Sequence, residues 1–79
     1  MKIIILGAGQ VGSSVARIMT SEGNDITVVD TQPDLLKELQ DRLDIRTIEG
    51  SASHPEVLEQ AGGEDADMVI ALTNSDEIN

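Results

Sequence analysis

The sequence predicts an α/β fold in which helices cover a parallel sheet. Short apolar runs alternate with amphipathic stretches along the chain, which is the pattern of repeated βαβ units. A turn of the form G-x-G-x-x-G follows the first run directly, as it does where a strand leads into a helix at a dinucleotide site. We therefore expect a Rossmann-type, doubly wound sheet, and right-handed crossovers give the strand order 3-2-1-4.

Four apolar runs are the predicted strands: Lys2–Leu6, Ile26–Val29, Ile45–Ile48 and Met68–Leu72. Three of them are rich in Ile and Val, as strands buried on both faces are. The third contains Arg46 and is followed by Glu49, so we expect it at an edge of the sheet.

Three stretches between the runs have helical periodicity. The first is followed by Gly23, a left-handed stop, while the second and third open with Pro33 and Pro55, which suit the first helical turn. We expect the following residues to face the core: Val11, Val15, Ile18 and Met19 in the first helix, Leu36, Leu39 and Leu43 in the second, and Val57, Leu58 and Ala61 in the third.

The composition limits both the size and the chemistry of the core. The chain has 79 residues and contains no Phe, Tyr, Trp or Cys, so the core is aliphatic and there are no disulfides or thiolate metal sites. We expect residues 1–79 to form one small domain that lacks its C-terminal strands.

The charge excludes two classes of partner. The chain contains five Lys and Arg and 15 Asp and Glu, which gives a net charge of -10. This charge has the wrong sign for binding nucleic acid or an anionic lipid surface. The N-terminal apolar run is too short for a signal peptide or a membrane span. We expect no nucleic-acid binding and no direct membrane insertion.

The glycine-rich turn is the main candidate site. Gly7 permits the tight turn, Gly9 lets the main chain approach a pyrophosphate, and Gly12 allows close packing of the helix on the strand. The main-chain amides at the helix N-terminus then face the phosphates. The alternative is a glycine-rich turn without a ligand. The candidate residues of this turn are Gly7, Ala8, Gly9, Gln10, Val11 and Gly12.

Asp30 follows the second run at about the spacing at which an acid accepts hydrogen bonds from the adenosine ribose. Thr31, the next residue, is a further candidate for cofactor binding. The carboxylate of Asp30 would repel a 2′-phosphate, and neither Thr31 nor Gln32 is an arginine that could neutralise one. The sequence thus favours NAD over NADP. A surface Asp at a strand-to-helix turn is the alternative interpretation.

Two further pairs follow the third and fourth runs: Gly50 with Ser51, and Thr73 with Asn74. They would lie at the carboxyl edge of the sheet and line the crevice, although turn and cap chemistry explains them equally well. His54, the only histidine, precedes Pro55 at a predicted helix start, and this position favours a capping or surface role over catalysis. No nucleophile–base pair and no metal-ligand spacing can be identified.

In combination, several segments resemble the TrkA-N family, the N-terminal nucleotide-binding domains of regulators of potassium conductance. These segments are KIIILGAGQVG at the N-terminus, NDITVVD, SHPEVLEQAG and DADMVIALTNSDE. The resemblance implies a nucleotide sensor and not an enzyme. It also implies a cytoplasmic, homo-oligomeric assembly at the inner face of the cell membrane, which binds NAD(H), or ATP and ADP in relatives, and regulates a membrane potassium transporter.

Carried over to this chain, the resemblance places Gly7–Val11 at the pyrophosphate and Asp30 at the adenosine ribose. It places Thr73 and Asn74 at the far side of the dinucleotide. The alternative function is the cofactor-binding half of an NAD-dependent oxidoreductase, because the glycine motif alone does not separate the two.

Overall fold

The computed structural model describes residues 1–51 and 53–72. Strands and helices alternate strictly, and the strands end within one or two residues of the predicted positions. In chain order the elements are β1 (Lys2–Leu6), α1 (Gln10–Ser21), β2 (Asp25–Asp30), α2 (Pro33–Arg42), β3 (Arg46–Glu49), α3 (Pro55–Gln60) and β4 (Met68–Ala71).

The four strands form one parallel sheet in the order β3-β2-β1-β4, which confirms the predicted Rossmann-like topology. β1 lies at the centre, with Ile3 opposite Ile26 on one side and opposite Met68 on the other. The chain runs outward from β1 through β2 to β3 and then crosses back to β4. The reversal leaves a crevice beside β1 at the carboxyl ends of the strands.

Each face of the sheet carries its own apolar cluster. Ile3 and Ile5 point towards α1 and α2, while Ile4 and Leu6 point towards α3, as alternation along a strand requires. All four are buried. The central strand is therefore covered on both faces by aliphatic side chains alone.

Helix α1 meets the sheet along a different stripe from the predicted one. Gly12 and Ala16 are the residues of α1 that are buried against the sheet, whereas Val11 and Ile18 are 62% and 53% exposed. The reason is steric, since α1 lies so close to the sheet that only small residues fit at the contact. Val15 and Met19 pack at the flank, as expected.

The remaining helices agree with the predictions. Leu36 and Leu39 of α2 are buried, and Leu43 packs against the same cluster. The short α3 covers the other face through Ala61, together with the partly buried Val57 and Leu58. Gly23, after α1, has a φ of 86°, which confirms the left-handed stop.

The two edge strands differ from the prediction in one respect. β3 and β4 lie at the two edges, as the predicted strand order requires, but β4 is not buried on both faces as its composition predicts. Met68 and Val69 are 41% and 49% exposed, because β4 pairs with β1 on one side and no described helix covers its outer part.

Within the described ranges, no helix combines the length and apolar character needed to cross a membrane.

The contact between α1 and the turn after β1 generates a test of stability. A Cβ on Gly12 would overlap the carbonyl oxygen of Gly7, so we expect Gly12→Ala to lower the free energy of unfolding by about 1–3 kcal/mol or more. Urea unfolding followed by circular dichroism measures this. Gly9→Ser is the matched control, because a Cβ there meets no atom within 4 Å and Ser caps helices well. Equal stability of Gly12→Ala and the wild type would contradict the packing argument.

Candidate functional site

The loops at the carboxyl edge of the sheet enclose a cleft of about 510 Å³. Parallel strands all end at this edge, so residues distant in sequence meet there. The lining residues come from the turn after β1, the end of β2 with the start of α2, and the segments that follow β3 and β4. They are Gly7, Gly9, Val29, Asp30, Thr31, Gln32, Leu35, Gly50, Ser51, Ser53 and Leu72.

The glycine-rich turn has the geometry that its sequence predicts. Gly7 has a φ of 125°, which a residue with a side chain rarely adopts, and its amide donates to the carbonyl of Val29 over 2.8 Å. Gly9 is exposed, and a side chain there would extend into open space. The structure thus leaves room for an approaching ligand at Gly9.

The first turn of α1 presents main-chain donors at this edge. Ser13 makes the first helical hydrogen bond, its amide donating to the carbonyl of Gly9 at 2.8 Å; the amides of Gln10, Val11 and Gly12 precede it. Gly9, the N-cap, has no side chain to cap them, and the first turn contains no acid. No acid within the first turn of α1 therefore offsets the partial positive charge of the helix N-terminus.

Asp30 lies beside this turn at the end of β2 and is half-buried. Its Oδ2 accepts a hydrogen bond from the amide of Ala8 at 2.7 Å, and its Oδ1 accepts one from the amide of Gln32 at 2.8 Å. Each carboxylate oxygen has two acceptor positions, so both retain one for a further donor. These two bonds hold the carboxylate at the cleft.

The β3 side of the cleft contains a pair of hydroxyl groups. The Oγ atoms of Ser51 and Ser53 are 2.8 Å apart. Gly50 has a packing role, since a Cβ there would lie 2.8 Å from Val57. His54 is exposed at the N-cap of α3, and its side chain makes no capping hydrogen bond, so the structure supports a surface position for it.

The structure brings together six of the twelve candidate residues as lining of one cleft: Gly7, Gly9, Asp30, Thr31, Gly50 and Ser51. Ala8 and Gly12 are buried behind the turn, whereas Gln10 and Val11 are exposed on α1 beside it. Thr73 and Asn74 fall outside the described residues. Contact of any of these with a ligand stays a prediction.

Five lining residues were not among the candidates: Val29, Gln32, Leu35, Ser53 and Leu72. Gln32 and Leu35 belong to the start of α2, and a helix that follows a parallel strand begins at the carboxyl edge. Their position at the start of α2 could therefore have identified them as lining residues from the sequence. Ser53 carries no such signal, because its place depends on the path of the loop after β3.

A second cleft, of about 540 Å³, lies at the opposite edge, where the strands begin. Asp25, Asp44 and Asp65 line it together with Lys2 and Arg46. No group of three or more potential metal ligands occurs within residues 1–51 and 53–72. None of the candidate residues that the structure describes lines this second cleft, so the carboxyl-edge cleft is the candidate site.

Comparison with known proteins identifies relatives over the whole chain. It is 66% identical to the Trk system potassium uptake protein TrkA of Halomonas elongata and 60% identical to that of Vibrio alginolyticus. It is 39% identical to the TrkA homolog of Pyrococcus abyssi. The chain spans 17% of the first two relatives and 35% of the third. These names describe potassium uptake proteins and not enzymes, in agreement with the expected non-enzymatic role.

A solved structure shares the fold. The "Kef CTD in AMP bound form" of Shewanella denitrificans matches with a TM-score of 0.75 and 28% identity, over 87% of this chain and 40% of that one. The family model described as the TrkA-N domain matches residues 3–79. With its sheet order, its glycine-rich turn and these relatives, the chain belongs to the TrkA-N domain family.

Proposed function

We propose that this chain is the NAD(H)-binding regulatory domain of a potassium uptake system. The observation that carries the proposal is that the carboxylate of Asp30 lies beside the turn that leads into the uncapped amides at the start of α1. The amides suit a diphosphate and the carboxylate suits a ribose diol. Together they match the two polar parts of a dinucleotide.

The phosphates would bind at the turn between Gly7 and Gly12. The net charge of -10 repels an anion, so the attraction must come from nearby groups. The helix N-terminus provides it over a short range, and the open space at Gly9 permits close approach of the main chain. Val11, 62% exposed beside the turn, would be partly covered by the ligand.

The adenosine ribose would bind at Asp30, whose oxygens each keep an acceptor position. A 2′-phosphate would bring a second negative charge to the same place. The described lining of the cleft contains no Lys or Arg to neutralise it. We therefore propose NAD(H) as the ligand in preference to the 2′-phosphorylated cofactor.

The adenine nucleotide part of the ligand has independent support, because the Shewanella Kef domain of similar fold was solved in an AMP-bound form. ATP and ADP share this part with NAD(H) and are the alternative ligands. In the proposal, Thr73 and Asn74 contact the half of the dinucleotide beyond the pyrophosphate.

The regulatory part of the proposal concerns the longer protein. The relatives are named as Trk system potassium uptake proteins, which supports a membrane potassium transporter as partner, at its cytoplasmic face. Ligand binding would favour one arrangement of neighbouring copies by its differential affinity, and so bias the transporter. The absence of transmembrane helices among the described residues is compatible with a peripheral role. The names of the relatives favour this function over the oxidoreductase alternative.

Ligand-dependent stabilisation tests the proposal directly. At about 100 times its Kd, a ligand stabilises the folded state by about 2.7 kcal/mol, which corresponds to a rise in Tm of roughly 10–20 °C for a domain of this size. Thermal unfolding by circular dichroism with NADH, NAD, ATP, ADP and NADPH should give a large shift for NAD(H) and a small one for NADPH. No shift with any nucleotide would refute nucleotide binding, and a shift with ATP alone would refute NAD(H).

Gly9→Val tests the placement of the pyrophosphate. The added Cβ has no protein atom within 4 Å, and the side chain would occupy the space through which the phosphates would approach. We expect the variant to remain folded and to lose measurable NADH binding in a calorimetric titration. Gln40→Val, on the exposed side of α2, is the control and should bind as the wild type does. Tight binding by Gly9→Val would contradict the placement.

Asp30→Ala tests the recognition of the ribose. Loss of a hydrogen bond to a charged group should weaken NAD binding by about 1–3 kcal/mol and narrow the difference between NAD and NADP. Asp25→Ala removes the same charge from the other end of β2 and should change neither value. Unchanged NAD affinity in Asp30→Ala would show that the acid does not contact the ribose.

A further inference from the structure

The glycine-rich turn is held by β2 at two successive amides. The amide of Gly7 donates to the carbonyl of Val29 at 2.8 Å, which is a main-chain contact. The amide of Ala8 donates to the side chain of Asp30 at 2.7 Å. After Ala8 the chain turns outward, and Gly9 is exposed. The amide of Ala8 therefore depends on a single carboxylate for its partner, while its carbonyl accepts a hydrogen bond from the Ser13 hydroxyl at 3.3 Å.

This carboxylate is itself fixed from the other side. Its second oxygen accepts from the amide of Gln32 at 2.8 Å, at the N-cap of α2. Asp30 thus connects the start of α2 to the turn before α1 through two hydrogen bonds to charge, which are stronger than bonds between neutral groups. Ala8 is 2% exposed, so its amide would lose a partner in a place that water reaches poorly.

We infer that Asp30 is a positioning residue for the phosphate-binding turn, in addition to its proposed contact with the ribose. The bond from Ala8 fixes the direction in which the chain leaves Gly7, and hence the direction of the amides at Gln10 and Val11. The inference rests on the proposed function where it concerns phosphates. It implies that the ribose and phosphate halves of the site are coupled through one side chain.

Electrostatics and positioning make opposite predictions for a ligand without a ribose. Removing a carboxylate beside an anion site reduces the repulsion of the anion. If Asp30 only binds the ribose, Asp30→Ala should therefore leave the affinity for pyrophosphate unchanged or raise it. A positioning residue, when replaced, disorders the amides and lowers that affinity. Inorganic pyrophosphate therefore separates the two roles.

The experiment combines an amide-exchange measurement without ligand and a titration with pyrophosphate. In the wild type we expect the Ala8 amide to exchange at least about tenfold more slowly than that of Gln10, because of these two amides only that of Ala8 has a hydrogen-bond partner among the described residues. In Asp30→Ala this difference should disappear, while the Gly7 amide stays protected by Val29. Pyrophosphate affinity, followed by NMR shifts, should fall by about tenfold. Asp25→Ala should leave both readouts at wild-type values.

Two results would overturn the inference. One is an Ala8 amide that stays protected in Asp30→Ala. The other is a pyrophosphate affinity of Asp30→Ala that equals or exceeds that of Asp25→Ala. If Asp30→Ala exposes the Gly7 amide as well, Asp30→Asn decides. It keeps one acceptor oxygen of the same shape, so recovery of Ala8 protection and of pyrophosphate affinity relative to Asp30→Ala supports positioning, whereas readouts as low as those of Asp30→Ala refute it. Failure of wild-type protein to bind either pyrophosphate or NADH would refute the proposed function, while the exchange measurement still tests the role of Asp30.

Discussion

Main-chain atoms of α1 and of the turn before it are in contact, and the site depends on this contact. The space beside Gly12 is filled by the carbonyl of Gly7, so the helix begins directly above the end of β1. The start of α1 is thereby brought to the carboxyl edge, next to the end of β2. One turn later the same proximity leaves room only for Ala16, which is fully buried. A longer side chain at either position would move the helix and with it the donors.

The site concentrates favourable electrostatics in a molecule whose overall charge is unfavourable. Asp30 is the one acid in the described lining of the cleft, and both of its oxygens already accept hydrogen bonds from amides. The first turn of α1 contains no acid. Glu49 is paired with Asp30 across β2 and β3, and Asp34 lies in the first turn of α2, but neither lines the cleft. An acidic domain and an anion-binding turn are therefore compatible, because the interactions that matter act over a few ångströms.

The sequence predicted the sheet order and the position of the turn, because the glycine spacing and right-handed crossovers allow few alternatives. It did not predict which stripe of α1 faces the sheet. Gly12 and Ala16 contribute little to an apolar pattern, whereas Val11 and Ile18 dominate it and lie outside. The Ile- and Val-rich composition of β4 predicted a strand buried on both faces. Composition does not show whether a helix covers the outer part of that strand. Leu35 and Ser53 reach the cleft through the three-dimensional path of the chain, which periodicity does not describe.

The exposed edge of the sheet has a consequence for behaviour in solution. Main-chain donors and acceptors along the outer side of β4 have no described strand beside them, and such an edge is a template for pairing with another molecule. Between copies, repulsion from the net charge of -10 opposes this association. Added salt shortens the range of that repulsion to about 8 Å at physiological ionic strength. Self-association of the isolated domain should therefore increase with salt, the reverse of an assembly held by ion pairs.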